Sequence, residues 1–186
     1  MADETPLRAD AQRNRDLILA AAEEVFKERG ANASLDEVAR RAKVGIGTLY
    51  RRFPSREALL AAAFSERFLG LAAASCECAH MLGPRDALAA YLEELVMHSS
   101  VYRGLAASLG TVLQTGSPGC HATTEEGHRL LRSAQEAGVV RQDVTFDDLL
   151  CAVAAATLAA EQGEPAGAAS RVHHLVGLFL DGIVRR

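Results

Sequence analysis

Apolar residues recur at intervals of three and four along most of the 186-residue chain, the spacing that places them on one face of an α-helix. The segment RNRDLILAAAEEVFKERG is the clearest example, and its apolar stripe consists of Leu17, Ile18, Ala21, Ala22, Val25 and Phe26. No segment shows a convincing alternation of apolar and polar residues, which a half-buried strand requires. Alanine is abundant and β-branched residues are few, which also favours helices. The pattern predicts an all-α protein.

Glycine, proline and capping residues divide the chain into about nine predicted helices. Gly30 fits the C-terminal cap of the first helix, and Ser34 with Glu37 matches a capping box at the start of a short second helix. A tight turn, KVG, precedes a third short helix, IGTLYRRF, which Pro54 ends. A long fourth helix, REALLAAAFSERFLGLAAASCECAHML, follows Ser55. The remaining five predicted helices are RDALAAYLEELVMHSSVY, GLAASLGTVLQT, HATTEEGHRLLRSAQEAG, TFDDLLCAVAAATLAAEQG and AASRVHHLVGLFLDGIVRR.

Cysteine usage and apolar run lengths bound the compartment in which the chain works. The four cysteines are not a dense disulfide framework, so we expect reduced thiols and a cytoplasmic protein. The N-terminus is polar and acidic, unlike a signal peptide. The apolar run Leu149–Ala160 is too short to span a bilayer, and the uncharged run Gly104–Thr124 is broken by TGSPG. The sequence therefore predicts no membrane partner.

A short basic segment stands out in a chain whose net charge is −4. Six cations and no acid lie between Arg40 and Arg56, and an apolar set, Ala39, Val44, Leu49 and Phe53, is interleaved with them. Two short helices joined by a tight turn, with an apolar inner face, describe a helix-turn-helix. A helix of this size flanked by cations suits the major groove of double-stranded DNA. The alternative is a solvated basic face on an ordinary helical bundle.

The segment SLDEVARRAKVGIGTLYRRFPSREALLAAAF resembles the DNA-binding region of TetR-family transcriptional regulators. The likeness extends back through ILAAAEEVFKERG and covers about residues 13–64. It implies a flexible N-terminal arm at 1–12, a helix-turn-helix domain at 13–54 and a helical ligand-binding and dimerisation domain at 55–186. It also implies a dimeric regulator, by default a repressor, that binds a palindromic operator and is released by a small, mostly apolar molecule.

The resemblance implies a recognition helix at about Gly45–Arg51. It places Thr48 and Tyr50 at phosphate- and groove-contacting positions, and Arg52 at a base- or backbone-contacting one. Arg56 matches a basic phosphate contact of the family. Ile46 suits contact with a thymine methyl group, but neither Ile46 nor Gly47 can make a bidentate hydrogen bond to a base. We therefore expect sequence choice to lean on Arg52 and on DNA shape. The predicted DNA-contacting set is Ser34, Lys43, Gly45, Ile46, Gly47, Thr48, Tyr50, Arg51, Arg52 and Arg56.

The last two predicted helices are apolar around much of their circumference. One apolar face satisfies a chain's own core, so the surplus indicates a second buried contact, although two central core helices are the alternative. The resemblance implies a symmetric dimer with a four-helix interface. The predicted interface residues are Leu150, Val153, Thr157, Leu175, Leu178 and Phe179.

The uncharged stretch Gly104–Thr124 combines small residues with a few polar ones, as a small-molecule pocket does. A plain helical core is the alternative. The predicted ligand-binding residues, drawn from this stretch and the helices before it, are Phe68, Leu71, Met97, His98, Tyr102, Leu109, Leu113, Gln114 and His121.

Two other functions are alternatives to a ligand-responsive regulator. Cys76 and His80 have a spacing compatible with two metal ligands, and Cys120, His121 and His128 form a second candidate set for a metal- or thiol-sensing regulator. Two ligands do not make a site, so no metal or cofactor is predicted. A helical enzyme is the other alternative. Because the sequence contains no H-E-x-x-H, P-loop or G-x-S-x-G motif and no E-x-x-H repeat, we predict no catalysis.

Overall fold

The computed structural model describes residues 4–162 and 167–184. In these two ranges every regular element is helical, which confirms the predicted fold class. Residues 4–162 and 167–184 form ten α-helices and one short 3-10 helix, compared with about nine predicted helices. The α-helices are α1 (Glu4–Arg29), α2 (Leu35–Arg41), α3 (Ile46–Arg52), α4 (Arg56–Ala63), α5 (Ser65–Ala79), α6 (Pro84–Ser100), α7 (Leu109–Leu113), α8 (Pro118–Glu136), α9 (Phe146–Gln162) and α10 (Ala168–Gly182), and the 3-10 helix is Leu105–Ser108.

The long fourth helix of the sequence prediction is wrong, because the chain bends by 53° between α4 and α5. The bend lies at Phe64, whose ring stacks on Tyr102 with centroids 3.9 Å apart and meets Phe26 edge-on at 6.1 Å. The predicted helix GLAASLGTVLQT likewise divides into the 3-10 helix and α7. No single helix within the described ranges is long and apolar enough to cross a membrane, and only the bent pair α4–α5, taken together, meets that criterion.

The first three helices pack around the predicted stripe of α1. Ile18, Ala22, Val25 and Phe26 are fully buried and belong to one continuous core with residues of α2 and α3. Leu17, which the pattern assigned to the same stripe, is exposed. Helix α1 begins at Glu4, inside the segment predicted as an N-terminal arm.

The predicted capping box at α2 does not form. Ser34 occupies the N-cap position, but its side chain accepts no capping hydrogen bond. Glu37 turns instead toward three cations, with carboxylate oxygens 3.0 Å from Arg29, 3.3 Å from Arg41 and 3.7 Å from Arg40. Ser55 does cap α4, since its hydroxyl accepts a hydrogen bond from the Ala58 amide at 3.1 Å.

The second half of the chain is a bundle in which α5 packs on α8, and α6 packs on both α9 and α10. The buried phenol of Tyr91 on α6 donates a hydrogen bond to the carbonyl oxygen of Thr123 on α8 at 2.8 Å. Thr123 in turn donates to the carbonyl oxygen of Phe68 on α5 at 3.0 Å. Because buried polar groups are costly when unpaired, this chain of bonds fixes the relative positions of α5, α6 and α8.

Candidate nucleic-acid interface and effector cavity

The turn between α2 and α3 has an unusual backbone at Lys43, which has a φ of 57°. That left-handed conformation costs a residue with a Cβ about 1 to 2 kcal/mol. The turn is closed by hydrogen bonds from the Lys43 amide to the Arg40 carbonyl oxygen at 3.1 Å and from the Val44 amide to the Ala39 carbonyl oxygen at 3.0 Å. Leu49 is the fully buried residue of α3, and its side chain anchors that helix to the core.

Because Leu49 faces inward, most of the other side chains of α3 face solvent. Tyr50 is 49% exposed, Ile46 is also exposed, and Thr48 is half-buried. Arg51 donates a hydrogen bond to the hydroxyl of Thr48 at 3.4 Å. A shallow cleft separates this side of α3 from α1 and is lined by Asp10, Ala11, Asn14, Thr48, Arg51 and Arg52. Asp10, Ala11 and Asn14 of α1 are not among the residues that the sequence predicted to contact DNA.

Two of the six cations in the basic segment, Arg41 and Arg56, are partly buried and held by internal partners, so not all of the basic side chains point outward as the sequence suggests. A third, Arg40, stays exposed although it lies 3.7 Å from Glu37. Arg41 makes a two-pronged pair with Glu28, with N–O distances of 2.8 and 2.9 Å, and this hydrogen bonding lowers the pKa of Glu28. Arg56 donates to the backbone carbonyl oxygens of Ala31, at 2.9 Å, and Ala33. Arg41 therefore connects α2 to α1, and Arg56 connects the start of α4 to the turn after α1.

The other four cations of the segment are exposed. We call the surface formed by Arg40, Lys43, Thr48, Tyr50, Arg51 and Arg52 the basic face. Ser34 is exposed near its edge, and an added Cβ at Gly45 or Gly47 would meet no atom within 4 Å. The surface is thus open to a partner along the length of α3.

Two family models match the chain. Residues 18–63 match the model described as bacterial regulatory proteins of the tetR family. Residues 83–185, more than half of the chain, match that of the SbtR-like transcriptional regulator C-terminal domain. The chain belongs to the TetR family of transcriptional regulators. No curated protein matches it.

Solved structures of TetR-family regulators agree with this assignment. The regulator SCO0520 from Streptomyces coelicolor is 33% identical, with a TM-score of 0.54, over 91% of this chain and 98% of that one. RolR, solved in complex with resorcinol, is 22% identical with a TM-score of 0.69, over 95% and 90% of the two chains. A regulator from Rhodococcus sp. is 23% identical with a TM-score of 0.55, over 94% and 100%. The last two likenesses show the shared fold only.

A small set of backbone contacts joins the helix-turn-helix of this TetR-family chain to its helical bundle. We call it the clasp: Gly30, Ala31, Arg103, Gly104 and Glu161. The Ala31 amide donates to the Arg103 carbonyl oxygen at 2.9 Å, and the Gly104 amide donates to both carboxylate oxygens of Glu161 at 3.1 and 3.2 Å. The clasp connects the turn after α1, the turn after α6 and the last turn of α9.

A cavity of about 390 Å³ lies between α5 and α6. Most of the residues that line it are apolar, and several of these have small side chains. A mostly apolar lining is typical of sites for small organic molecules. Of the predicted ligand-binding residues, Leu71 and His98 line it. The lining is Gly70, Leu71, Ala74, Ser75, Cys78, Ala79, Leu82, Ala87, Ala90, Tyr91, Glu94 and His98.

The other predicted ligand-binding residues lie outside this cavity. Four of them are buried in the packed core: Phe68, Tyr102, Leu109 and Leu113. Three are exposed: Met97, Gln114 and His121. The stretch Gly104–Thr124 thus contributes packing through its apolar residues, and the space opens between α5 and α6. The pocket prediction for Gly104–Thr124 depended on its small residues, but small residues recur throughout the chain.

His98 sits at the polar end of the cavity. Its Nε2 atom is 3.6 Å from a carboxylate oxygen of Glu94, and its Nδ1 atom is buried without a hydrogen-bond partner in the described part of the chain. Burial and the nearby positive charge of Arg67 lower the pKa of His98. The imidazole is therefore uncharged near neutral pH. The guanidinium of Arg67 lies over the Tyr102 ring, 5.5 Å from its centroid.

The predicted interface residues on α9 and α10 divide into two groups. Val153 and Thr157 are only 1% and 0% exposed, and the Thr157 hydroxyl donates to the Val153 carbonyl oxygen at 2.8 Å. Thr157 belongs to the chain's own core, which corrects its assignment to a contact with a second chain, whereas Val153, also buried, lines the floor of an apolar groove on α9 and α10. Leu178 is 56% exposed, and Leu158, nearby on α9, is 51% exposed. Leu150, Leu175 and Phe179 are partly buried at the same surface.

The candidate sensing residues do not come together as a metal site. Within the described ranges, no group of three or more His, Cys, Asp or Glu residues is placed to hold a metal ion. Cys120 is buried, donates to the Val112 carbonyl oxygen at 3.3 Å, and has a pKa raised by that burial. Cys76 and Cys78 are exposed, and His128 packs on the Phe146 ring at 4.5 Å.

Proposed function

We propose that this TetR-family regulator binds a palindromic DNA operator as a homodimer, one basic face per half-site, and leaves it when a small, mostly apolar effector occupies the α5–α6 cavity. The observation that carries the DNA-binding part is the exposure of α3. Its inner side is anchored by Leu49, and its outer side presents Thr48, Tyr50 and arginines. No acidic residue lies on α3 itself.

The basic face has the dimensions and chemistry that DNA docking requires. A seven-residue helix is about 10 Å long and fits within the major groove. Arg40 and Lys43 flank the helix and suit phosphate contacts, which set affinity and register. Tyr50 and Arg52 extend from the helix toward the groove, where base contacts set sequence choice. The bare backbone at Gly45 and Gly47 permits a close approach to the DNA.

The surface of α9 and α10 supports the homodimer. Leu158 and Leu178 are more than half exposed, although they lie on helices that otherwise form the core. Beside them is an apolar groove of about 250 Å³, lined in part by Ala155, Ala159 and Phe179. A contiguous apolar surface of this kind marks a protein contact. Two-fold pairing through it would present two basic faces to a two-fold symmetric operator.

The clasp couples the effector cavity to the DNA-binding helices. Helix α6 carries Tyr91, Glu94 and His98 at the cavity, and the chain reaches Arg103 of the clasp five residues after His98. An effector that displaces α6 relative to α5 would shift the Arg103 carbonyl oxygen and with it the turn that orients α2 and α3. Release of the operator then follows from a preference of the effector for the shifted state.

The experiment that tests this proposal is selection of bound duplexes from fragmented genomic DNA by the purified protein. The expected result is a palindromic sequence whose affinity falls steeply as salt is raised, because phosphate contacts release counterions. The control is a variant in which Tyr50 and Arg52 are both replaced by Ala, which should recover no common sequence. Recovery of no enriched sequence by the wild-type protein would contradict the proposal.

A further inference from the structure

The donors and acceptors around the α5–α6 cavity are unevenly distributed. Ser75 lines the cavity, and its hydroxyl donates a hydrogen bond to a carboxylate oxygen of Glu126 at 2.9 Å. Tyr91 lines it too, and its hydroxyl donates to the carbonyl oxygen of Thr123 at 2.8 Å. Both partners are pure acceptors, and a hydroxyl has a single proton to donate. Ser75 and Tyr91 therefore retain only lone pairs for a third group.

The buried surroundings hold these two hydroxyls in place. Glu126 is itself buried and paired with Arg129 through two hydrogen bonds of 2.7 and 2.8 Å, so its carboxylate stays fixed as an acceptor. Burial raises the pKa of Tyr91, so the phenol keeps its proton. Reorienting either hydroxyl toward a ligand would break an existing hydrogen bond, which costs about 0.5 to 1.5 kcal/mol.

The other polar residues of the lining, Glu94 and His98, also leave acceptors in excess of donors. Glu94 offers carboxylate oxygens, which only accept hydrogen bonds. In a neutral His98 ring, the proton is best placed on Nε2, which faces Glu94. The lining residues, all within the described part of the chain, include no Lys or Arg. Arg67, the cation whose charge reaches His98, is held over the Tyr102 ring and is not part of the lining.

We propose that the effector is an apolar molecule that brings its own hydrogen-bond donor, a hydroxyl or an amine, to the acceptors of Ser75, Tyr91 and Glu94, and that Glu94 makes the cavity select against carboxylates. This inference rests on the proposed function, because it assumes that the α5–α6 cavity is the effector site. An anion would meet the carboxylate of Glu94, and the one ring N–H of the lining, that of His98, faces the same carboxylate. A molecule without a donor would leave the lone pairs of Ser75, Tyr91 and Glu94 without a hydrogen bond from the ligand. The five Gly and Ala residues of the lining leave room for the apolar body.

A matched set of para-ethyl benzene derivatives tests the proposal through thermal shift and calorimetric titration of the full chain. The probes are para-ethylphenol and para-ethylbenzylamine, which carry donors, para-ethylanisole, which does not, and para-ethylbenzoate, which is an anion. At least one donor probe should bind at millimolar concentration or below and exceed the anisole in affinity by about tenfold, the value of one hydrogen bond. The benzoate should bind more weakly than that donor probe and more weakly than the anisole. The two donor probes distinguish an uncharged from a cationic effector.

The variant Glu94→Gln assigns the selectivity to a residue. The new amide supplies a donor and removes the negative charge, so the benzoate should gain affinity and the donor probes should lose it. Glu77→Gln is the matched control: Glu77 is exposed on α5 outside the cavity lining, and the probe ranking should be unchanged. Glu94 is exposed as well, so both variants should fold.

Several outcomes would overturn the inference. They are equal binding of the phenol and the anisole, preferential binding of the benzoate by the wild-type protein, binding of no probe, or an unchanged ranking in Glu94→Gln. Operator selection by the effector-free protein is measured separately. A failure of the probe ranking with a recovered palindrome therefore rejects the effector class and leaves the DNA-binding proposal standing.

Discussion

The backbone amide of Ala31 donates a hydrogen bond to the carbonyl oxygen of Arg103 at 2.9 Å, which joins the turn after α1 to the turn after α6. Gly30 and Gly104 flank this bond, and both have positive φ angles, 86° and 84°. Glu161 of α9 holds the Gly104 amide from the other side. At this point the helix-turn-helix is therefore attached both to the helix that carries His98 and to a helix of the proposed dimer surface.

The substitution Gly30→Ala should disrupt this attachment. The left-handed backbone costs alanine about 1 to 2 kcal/mol. An added Cβ would also overlap the Arg103 carbonyl oxygen, which adds about 1 to 3 kcal/mol. Gly138→Ala is the matched control, since Gly138 has a φ of 73° but no atom near an added Cβ. Chemical denaturation should show a larger loss of unfolding free energy for Gly30→Ala, and equal losses would contradict the importance of the close contact.

Arg56 and Arg52 should separate structural from DNA-reading roles. Arg56→Ala removes the donor that satisfies the Ala31 and Ala33 carbonyl oxygens, so it should lower the unfolding free energy by about 1 to 3 kcal/mol. It should weaken binding to all duplexes alike. Arg52 is exposed, so Arg52→Ala should leave stability within about 0.5 kcal/mol and reduce discrimination between operator and scrambled duplex. Binding titrations of each variant with the operator and with the scrambled duplex measure this discrimination. The same loss of discrimination in both variants would contradict separate roles for Arg56 and Arg52.

Lys43 combines a strained backbone with a place on the basic face. Lys43→Asn should raise the unfolding free energy by up to about 1 kcal/mol, because asparagine adopts the left-handed conformation more readily. The slope of log affinity against log salt should fall by about one, because one phosphate contact is lost. Lys27→Gln is the control: it removes an exposed charge in the last turn of α1, outside the basic face, and should leave that slope unchanged. A Lys43→Asn protein with the wild-type slope would show that Lys43 does not contact phosphate.

Leu178 tests the dimer surface. Leu178→Asp places a charge on the exposed apolar surface of α10 and should shift the sedimenting species from dimer to monomer at micromolar concentration. Met81→Asp is the control, since Met81 is almost fully exposed between α5 and α6 and lies on neither α9 nor α10. Loss of the dimer in the control, or its retention in Leu178→Asp, would place the interface elsewhere.

The sequence predicted those features that depend on residues close together in the chain. The period of α1, the turn at Lys43 and the stop before Pro54 all follow from local patterns, and the structure has them. The bend at Phe64 was missed because no proline or glycine marks it. Its cause is the packing of Phe64 on Tyr102, a residue 38 positions away.

Long-range partners explain the other differences. Arg41 and Arg56 look like free cations in the sequence, but their partners, Glu28 and Ala31, are 13 and 25 residues away. Val153 and Thr157 look like surplus apolar surface until the packing of α6 on α9 buries them. The cavity depends on how α5 and α6 separate, which no local pattern encodes.

The most direct test of a dimer that reads DNA with two basic faces uses the selected operator with an altered spacer. Adding about five base pairs, half a helical turn, between the half-sites moves one half-site to the opposite side of the duplex. We predict that the wild-type protein then loses operator affinity down to the level of scrambled DNA, and that a full added turn restores part of it. Unchanged affinity for the half-turn duplex would contradict the account, because it would mean that a single basic face suffices.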